Sequence, residues 1–390
     1  MKDECGRAGK ILFIDLSQEK TRVEPIHPYL EWVGGRGINQ WLLFNGVGRN
    51  VRPLDPGNLL ILGAGPMNGT LVPASGRLAI DFKNAITGGV GSANCGGRFS
   101  AEMKYAGFDH IVIQGRAAGP KYLYIEDQSV HFRDASDLWG RDTWSTDQLV
   151  KEKENDPGIS ALTIGPAGEK LVSFACIIGD RGRAAAYGGC GAVMGSKNLK
   201  AIAIRGKTCP IRVARPGNFM ERLETFRRQV FEKSRAVRVH REGGTLGAYL
   251  LAGENRPHGV RNLQEEFWGI ASIRNVTRDK FDPFMIRRHS CMGCPVYCLG
   301  IYRVKGSLCE GIQANSIRAF GSNVDVSCAE DVLHAHALCN RYGLDCDQTS
   351  AAVAWAIECF EKEIINRKDT DGLMLRFGDG TCVARLIDKI

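Results

Sequence analysis

The amino-acid sequence predicts an α+β protein in two parts, β-rich over residues 1–208 and mainly helical over residues 209–390. Three observations lead there. Short apolar or alternating runs bounded by glycine, asparagine or aspartate crowd the first part. They do not alternate regularly with helical stretches, which favours an α+β layer over a doubly wound sheet. Helical periodicity with start and stop signals dominates the second part.

Taken in order, the strand candidates are "KILFIDL", "NLLILGAG", "RLAIDFK", "HIVIQG", "KYLYIED", "SVHFRD" and "LKAIAIRG", with helices near residues 28–45 and 143–154. "CPIRVARPGN" (209–218) reads as a linker. Asn218 and Glu221 have capping-box spacing and predict a helix opening there. Ser327 and Glu330 form a second box, followed by an apolar face through Val332, Ala335 and Cys339 and a stop at Gly343. Asp347 is placed to cap the next helix, whose Ala352, Val353, Ala356, Ile357 and Phe360 share one side. No internal repeat is visible.

Glycine contributes 47 of 390 residues, above the ~7% typical of globular proteins. These glycines sit in short motifs, which implies tight turns and close backbone approaches. No 18-residue apolar run is present, so no membrane span is expected. The start, "MKDECGRAGKILFIDL", lacks the ordered regions of a signal peptide, and the expectation is a cytoplasmic protein. In that compartment fourteen cysteines point to reduced thiols and metal ligation rather than a disulfide frame. The net charge of +8 is modest. Basic residues gather between Arg215 and Arg241, where Phe219, Leu223, Phe226 and Val230 recur at helical spacing, so a solvated helix face is expected and nucleic acid is not.

"HSCMGCPVYC" (289–298) crowds Cys291, Cys294 and Cys298 into one short loop. Three readings stand: an iron–sulfur cluster with a distant fourth cysteine, a zinc knuckle with His289 beside it, or structural thiols. The other eleven cysteines read as buried, inert thiols. Two arginine–glycine segments carry Arg77, Asn94 and Gly96, and then Arg183 and Ala184. Guanidinium forks beside exposed peptide N–H groups suit phosphates; glycine turns with structural arginines are the plainer reading. In "NRYGLDCD" (340–347), Asn340 and Asp345 can face a heterocycle rich in N–H and C=O groups, or merely flank a helix joint. His334 and His336 sit two apart on a helix, which makes a poor metal pair.

Together, "GPMNGT", "SGRLAI", "SANCGGRFSAEMKYAGFD", "GAVMGSKNLKAIAI", "CMGCPVYC" and "YGLD", in this order, resemble the tungsten-dependent aldehyde:ferredoxin oxidoreductases from Gly9 to the C-terminus. The resemblance implies an N-terminal domain of two β-sheets that forms a base for tungstopterin. It also implies a tungsten bis-molybdopterin cofactor, a magnesium ion bridging the pterin phosphates, and a [4Fe–4S] cluster passing electrons to ferredoxin or a similar low-potential carrier. Carried over by motif, Arg77, Asn94, Gly96, Arg183 and Ala184 would hold the phosphates and magnesium. Asn340, Leu344 and Asp345 would hold one pterin ring, and Cys291, Cys294 and Cys298 would ligate the cluster. The substrate implied is a small aldehyde or related carbonyl, oxidised to a carboxylic acid.

The chain also departs from the family pattern. Ala186 and Tyr187 in "RAAAYGG" replace glycine and arginine, and Asn340 stands where an aspartate opens the pterin turn. In "EGIQANS" (310–316) the family's catalytic glutamate maps to Asn315, and an amide cannot act as a base near neutral pH. His334 and Ala337 replace an intersubunit iron motif. The family's third domain, with the fourth cluster cysteine and a second pterin motif, is expected to be absent from these residues. The 390-residue chain alone is therefore expected not to turn over aldehydes. A homodimer, or a separate chain supplying that domain, completes the expected partners. The competing readings are a related tungsten reductase acting on another carbonyl or an aromatic thioester, an inactive fragment, and an iron–sulfur electron carrier.

Overall fold

The structure, a computed structural model, describes residues 5–251 and 258–390. It divides into two compact units. The first comprises Met1–Phe231, Cys291–Pro295 and Arg341–Leu344, and the second Glu232–Ser290, Val296–Asn340 and Asp345–Ile390.

Twelve strands of the first unit form two six-stranded sheets. One contains β1 (Lys10–Asp15), β2 (Lys20–Pro25), β3 (Leu60–Gly63), β4 (Leu78–Lys83), β5 (Val90–Cys95) and β6 (His110–Gln114), in the order β2-β1-β6-β3-β4-β5. The other contains β7 (Lys121–Glu126), β8 (Ser129–Asp134), β9 (Ser160–Thr163), β10 (Ile177–Gly179), β11 (Arg183–Ala185) and β12 (Leu199–Arg205), in the order β11-β10-β9-β12-β7-β8. All seven sequence-predicted strands are present. β1 with β6 and β7 with β12 are parallel pairs; the remaining pairs are antiparallel.

Side-chain alternation explains the packing. Leu12, Ile14, Leu60, Leu62, Ile80, Phe82, Ile111 and Ile113 of one sheet share a core with Leu123, Ile125, Leu162, Ile202 and Ile204 of the other. The intervening residues Ile11, Ile61 and Val112 pack outward against Ile38, Leu42 and Leu43 of α1 (Arg36–Gly46). On the far side Tyr122, Tyr124, Ala161, Ala201 and Ala203 pack with Val150 of α3 (Thr143–Lys153). Two short helices, α2 (Phe99–Tyr105) and α5 (Cys190–Ser196), send Phe99, Met103, Val193 and Met194 into the shared core. A third, α4 (Pro166–Glu169), lies against α5.

Buried lysines fasten this arrangement. Lys104 Nζ donates to the carbonyls of Gly6, Gly65 and Pro66 at 2.8, 3.1 and 3.0 Å. Lys197 Nζ donates to those of Asn58, Pro56 and Gly115 at 2.6, 3.2 and 3.2 Å. Burial pushes Lys104 down to about 8 and Lys197 down to about 7. Both lysines belong to motifs that carry the family resemblance, and their work is structural.

The first unit also holds α6 (Pro216–Phe226). Its N-cap is Arg215 rather than Asn218, which lies inside the helix behind Pro216; proline at the first helical position sets the start. Phe226 and Val230, expected on a packed face, are 42% and 52% exposed. The second unit contains α7 (Arg235–Leu251), α8 (Ile270–Arg274), α9 (Arg278–Phe281), α10 (Ala314–Phe320), α11 (Ala329–Tyr342), α12 (Cys346–Glu361) and α13 (Gly380–Lys389). It also has a three-stranded antiparallel sheet of β13 (Met285–His289), β14 (Leu299–Val304) and β15 (Ser307–Gly311). No helix among the described residues is long and apolar enough to cross a membrane.

A Cβ added to Gly195 of α5 would lie 1.9 Å from the Gly168 carbonyl oxygen of α4. Because the obstacle is backbone, Gly195→Ala should cost at least ~2 kcal/mol, read as a lower urea midpoint at unchanged m-value.

Candidate functional site

In the first unit, the β4–β5 hairpin pairs Ala79 with Asn94 and Leu78 with Cys95, so Arg77 and Gly96 sit together at its open end. A Cβ on Gly96 would lie 2.5 Å from Cys291 Sγ and 4.0 Å from Arg77 Nη1. At Gly97 it would lie 2.6 Å from Asp180 Oδ2 and 3.5 Å from Arg183 Cγ. Bare backbone therefore floors a spot reached by Arg77, Cys291, Asp180 and Arg183. Met292 N donates to the Gly97 carbonyl at 3.2 Å, and Cys294 N to the Cys291 carbonyl at 3.1 Å, which curls the cysteine segment against that floor.

Arg183 and Ala184 lie on β11, where they pair with Gly179 and Ile178 of β10. Arg183 is buried and Arg77 exposed. Asp180 accepts from Arg98 N at 2.7 Å and from Ser160 Oγ at 2.6 Å, which holds the β10–β11 turn. Arg77, Gly96 and Arg183 thus approach one spot of this unit, with Asn94 on β5 and Ala184 on β11 in the adjoining strands. Asp180 was missed, although "GDRGR" displays it beside the arginine. Two guanidinium groups beside glycine backbone can bind a phosphate; the atoms nearest the Cβ positions of Gly96 and Gly97 are Cys291 Sγ and a carboxylate oxygen of Asp180.

The turn residues fall in both units. In the first, Gly343 ends α11 with φ +73°, its carbonyl accepts from Cys176 N at 2.8 Å, and buried Leu344 bridges Ala175. In the second, Asp345 is the N-cap of α12, accepting from Asp347 N at 2.9 Å and Gln348 N at 3.4 Å. The cap expected at Asp347 is therefore two residues earlier, because Asp345 has the extended backbone (ψ 119°) that a cap requires. Asn340 is buried, and its Nδ2 donates to the Glu310 carbonyl at 3.0 Å.

Cys298 belongs to the second unit, where a Cβ on Gly244 would lie 2.5 Å from its carbonyl oxygen. Among the described residues, no group of three or more His, Cys, Asp or Glu side chains could hold a metal ion. Ligation by Cys291, Cys294 and Cys298 therefore rests on their spacing. No cysteine is in a disulfide, and seven are buried: Cys95, Cys176, Cys190, Cys309, Cys339, Cys359 and Cys382. Burial pushes Cys95 and Cys309 up to about 12, so both stay protonated thiols. His289 is in β13, its Nε2 3.9 Å from Glu310 Oε1, rather than in a solvated turn.

Asn315 opens α10, exposed, with Nδ2 3.5 Å from Asp347 Oδ2. Arg318 Nη2 holds the other oxygen of Asp347 at 2.8 Å. Position 315 thus has a carboxylate beside it, contributed by α12. Arg318 and Asp347, with Asn262, Asn323 and Ser350, line a pocket of about 220 Å³.

Arginine side chains, bare glycine backbone and a thiol thus meet at the strand ends of a two-sheet unit. Comparison with known proteins gives the family. Residues 11–206 match "Aldehyde ferredoxin oxidoreductase, N-terminal domain" and residues 222–390 match "Aldehyde ferredoxin oxidoreductase, domains 2 & 3", and the chain belongs to this family. It is 35% identical over 394 residues to the tungsten-containing aldehyde ferredoxin oxidoreductase of Pyrococcus furiosus, covering 99% of this chain and 64% of that protein. It is 30% identical over 406 residues to the aliphatic sulfonate oxidoreductase WOR-like subunit of the same organism, with 98% and 64% covered. Among solved structures, the active-site complex BamBC of benzoyl coenzyme A reductase, in complex with 1,5-dienoyl-CoA, superposes with a TM-score of 0.84 at 26% identity. That match covers 98% of this chain and 59% of the other. The chain spans about two-thirds of the length of these curated relatives.

Gly96→Ala should push Cys291 off the glycine floor. The expected result is faster alkylation of Cys291 than in the unaltered protein, with Cys328, which is exposed, unchanged as an internal reference. Peptide mass mapping of timed iodoacetamide reactions measures both.

Proposed function

We propose that the chain is the cofactor-holding part of a tungstopterin iron–sulfur oxidoreductase that oxidises aldehydes to carboxylic acids and passes the electrons to ferredoxin. The observation that carries this reading is the glycine-floored cradle of Arg77 and Arg183, found in a chain 35% identical to relatives named as tungsten-containing. Arg77, Asn94, Gly96, Arg183 and Ala184 would hold the pterin phosphates and a bridging magnesium. Asn340, Leu344 and Asp345 would flank one pterin ring, and Cys291, Cys294 and Cys298 would supply cluster thiolates. When bound, the metal–pterin group supplies two-electron exchange with the substrate and the cluster carries the electrons away. In domain terms, residues 1–208 would form the pterin base and residues 209–390 the part with the cluster cysteines and one pterin turn.

The chain's own residues do the positioning and proton work. Arginine forks orient the phosphates bidentately, which lysine cannot reproduce. The Asn315 amide cannot accept a proton, whereas Asp347 Oδ2, 3.5 Å away, can. Arg318 fixes the orientation of that carboxylate in the wall of the pocket. A second reading, a reductase acting on an aromatic thioester, draws on the likeness to the benzoyl coenzyme A reductase complex and on the absence of glutamate at Asn315.

The test begins with anaerobic expression in tungstate medium, followed by tungsten, iron and pterin analysis. Tungsten with pterin supports the proposal; iron alone supports an electron carrier, and neither supports an inactive fragment. Arg183→Lys and Arg77→Lys should lower pterin content severalfold while the circular dichroism melt is retained. Unchanged pterin content would remove the phosphate role.

Turnover is then assayed with a low-potential viologen dye, using aldehydes and an aryl thioester in parallel, on the chain and on its fusion to the C-terminal part of the P. furiosus relative. Asp347→Asn should lower kcat by ~10²–10⁴, and Asn315→Glu should restore part of it. A kcat untouched by Asp347→Asn would exclude that carboxylate from proton transfer.

A further inference from the structure

The joint between α11 and α12 holds a group of side chains that the proposed reaction does not use. His336, buried in α11, sits with Nε2 2.9 Å from the Glu310 carbonyl, to which it donates. Its Nδ1 is 2.9 Å from Ser316 Oγ and 3.7 Å from Cys346 Sγ. Glycine at position 311 makes room for the ring, since a Cβ there would lie 2.2 Å from Nε2. Cys346 is the first residue of the 16-residue helix α12, directly after its cap Asp345, so its sulfur lies at the helix's positive end. Cys339, in α11, hydrogen-bonds Cys346.

These neighbours favour charge separation within the cluster. The Cys339 hydrogen bond and the His336 hydrogen bond and charge outweigh burial and bring Cys346 down to about 6. Burial opposes charge on His336, but its contacts with Cys346 and Glu310 prevail and raise it. The charged groups facing the cluster are Glu310 from β15 and Asp345 from α12; Asp347 of α12 is taken up by Arg318 of α10. Cys95 and Cys309, buried without such partners, are pushed the other way.

We propose that Cys346 and Cys339 are an oxidisable dithiol, a modification site at which a hydroperoxide closes a disulfide between the end of α11 and the start of α12. Cys346 attacks as thiolate and His336, its Nδ1 3.7 Å from that sulfur, is the proton donor. In the first step the Cys346 sulfur bonds to one peroxide oxygen and the O–O bond breaks. The leaving oxygen takes a proton from His336 and departs as water or an alcohol, leaving a sulfenic acid. In the second step the Cys339 sulfur attacks the Cys346 sulfur, the S–O bond breaks, and hydroxide leaves with the Cys339 proton as water. Two thiols lose two electrons in total and one peroxide gains them.

The test uses the reduced 390-residue chain, without added metal or cofactor, so it does not depend on the proposed activity. Iodoacetamide rates at Cys346 are followed by peptide mapping from pH 4.5 to 9, with Cys328 as the exposed comparator. The profile for Cys346 should have its midpoint near 6. At pH 6 its rate should exceed that of Cys328 by about tenfold, the gain in thiolate fraction being offset partly by lower intrinsic nucleophilicity. Hydrogen peroxide should then link the Cys339 and Cys346 peptides. Cys339→Ser should stop at a sulfenic acid on Cys346 that dimedone traps, and His336→Gln should move the alkylation midpoint upward. A Cys346 that reacts no more readily than Cys328 at pH 6, or peroxide-treated protein in which the two peptides stay unlinked, would overturn the proposal. Both readings come from the unaltered chain and hold whether or not the His336 variant folds.

Discussion

The inner strands of each sheet of the first unit are covered on both faces: by the other sheet on one side, and by α1 or α3 on the other. A strand in that position has no solvent face on which to place a polar side chain. Its arginines, asparagines and bare glycine backbone must gather where strands end. The candidate cradle is such a place, with Arg77 and Gly96 at the open end of β4–β5 and Asp180 and Arg183 at the turn of β10–β11. The site's chemistry is thus a by-product of how completely the sheets are buried. The same pressure explains why the lysines inside this unit are surrounded by carbonyls and not left bare.

Double-sided burial also decides how much could be read beforehand. Strands such as "LLILG" and "HIVIQ" are apolar at nearly every position, because both faces meet a core, and such runs are legible without any partner. β2 ("KTRVEP") and β5 ("VGSANC") escaped notice, being an exposed edge strand and a strand rich in small polar residues. The short helices α2 and α5 went unread because two turns buried in a core display no polar face to set a period. Capping signals in the sequence place two helix starts a few residues late: the cap at Asp345 precedes Asp347, and Pro216 sets a start ahead of Asn218. At Asp347 two capping residues lie two positions apart and only backbone dihedrals choose between them; at Asn218 the proline at the first helical position decides.

Candidate site residues can be named from sequence wherever they lie in contiguous motifs. The arginine–glycine segments and the cysteine loop could be named from sequence because each motif is local. Contacts between motifs could not: nothing in the order of residues places Cys291 Sγ against Gly96, or Asp347 beside Asn315. The second case changes the chemical reading. A substitution that looks like loss of a carboxylate is accompanied by another carboxylate on the neighbouring helix.

The buried lysines have a kinetic consequence. Lys104 reaches a carbonyl 98 positions away and Lys197 one that is 139 positions away. The parallel pairings of β1 with β6 and β7 with β12 likewise join distant segments. Closing such long loops costs entropy before any contact repays it, which works against fast folding of this unit. The cradle draws on the ends of both sheets and cannot exist until those loops have closed. A phosphate could therefore meet the full set of donors only after the base has folded.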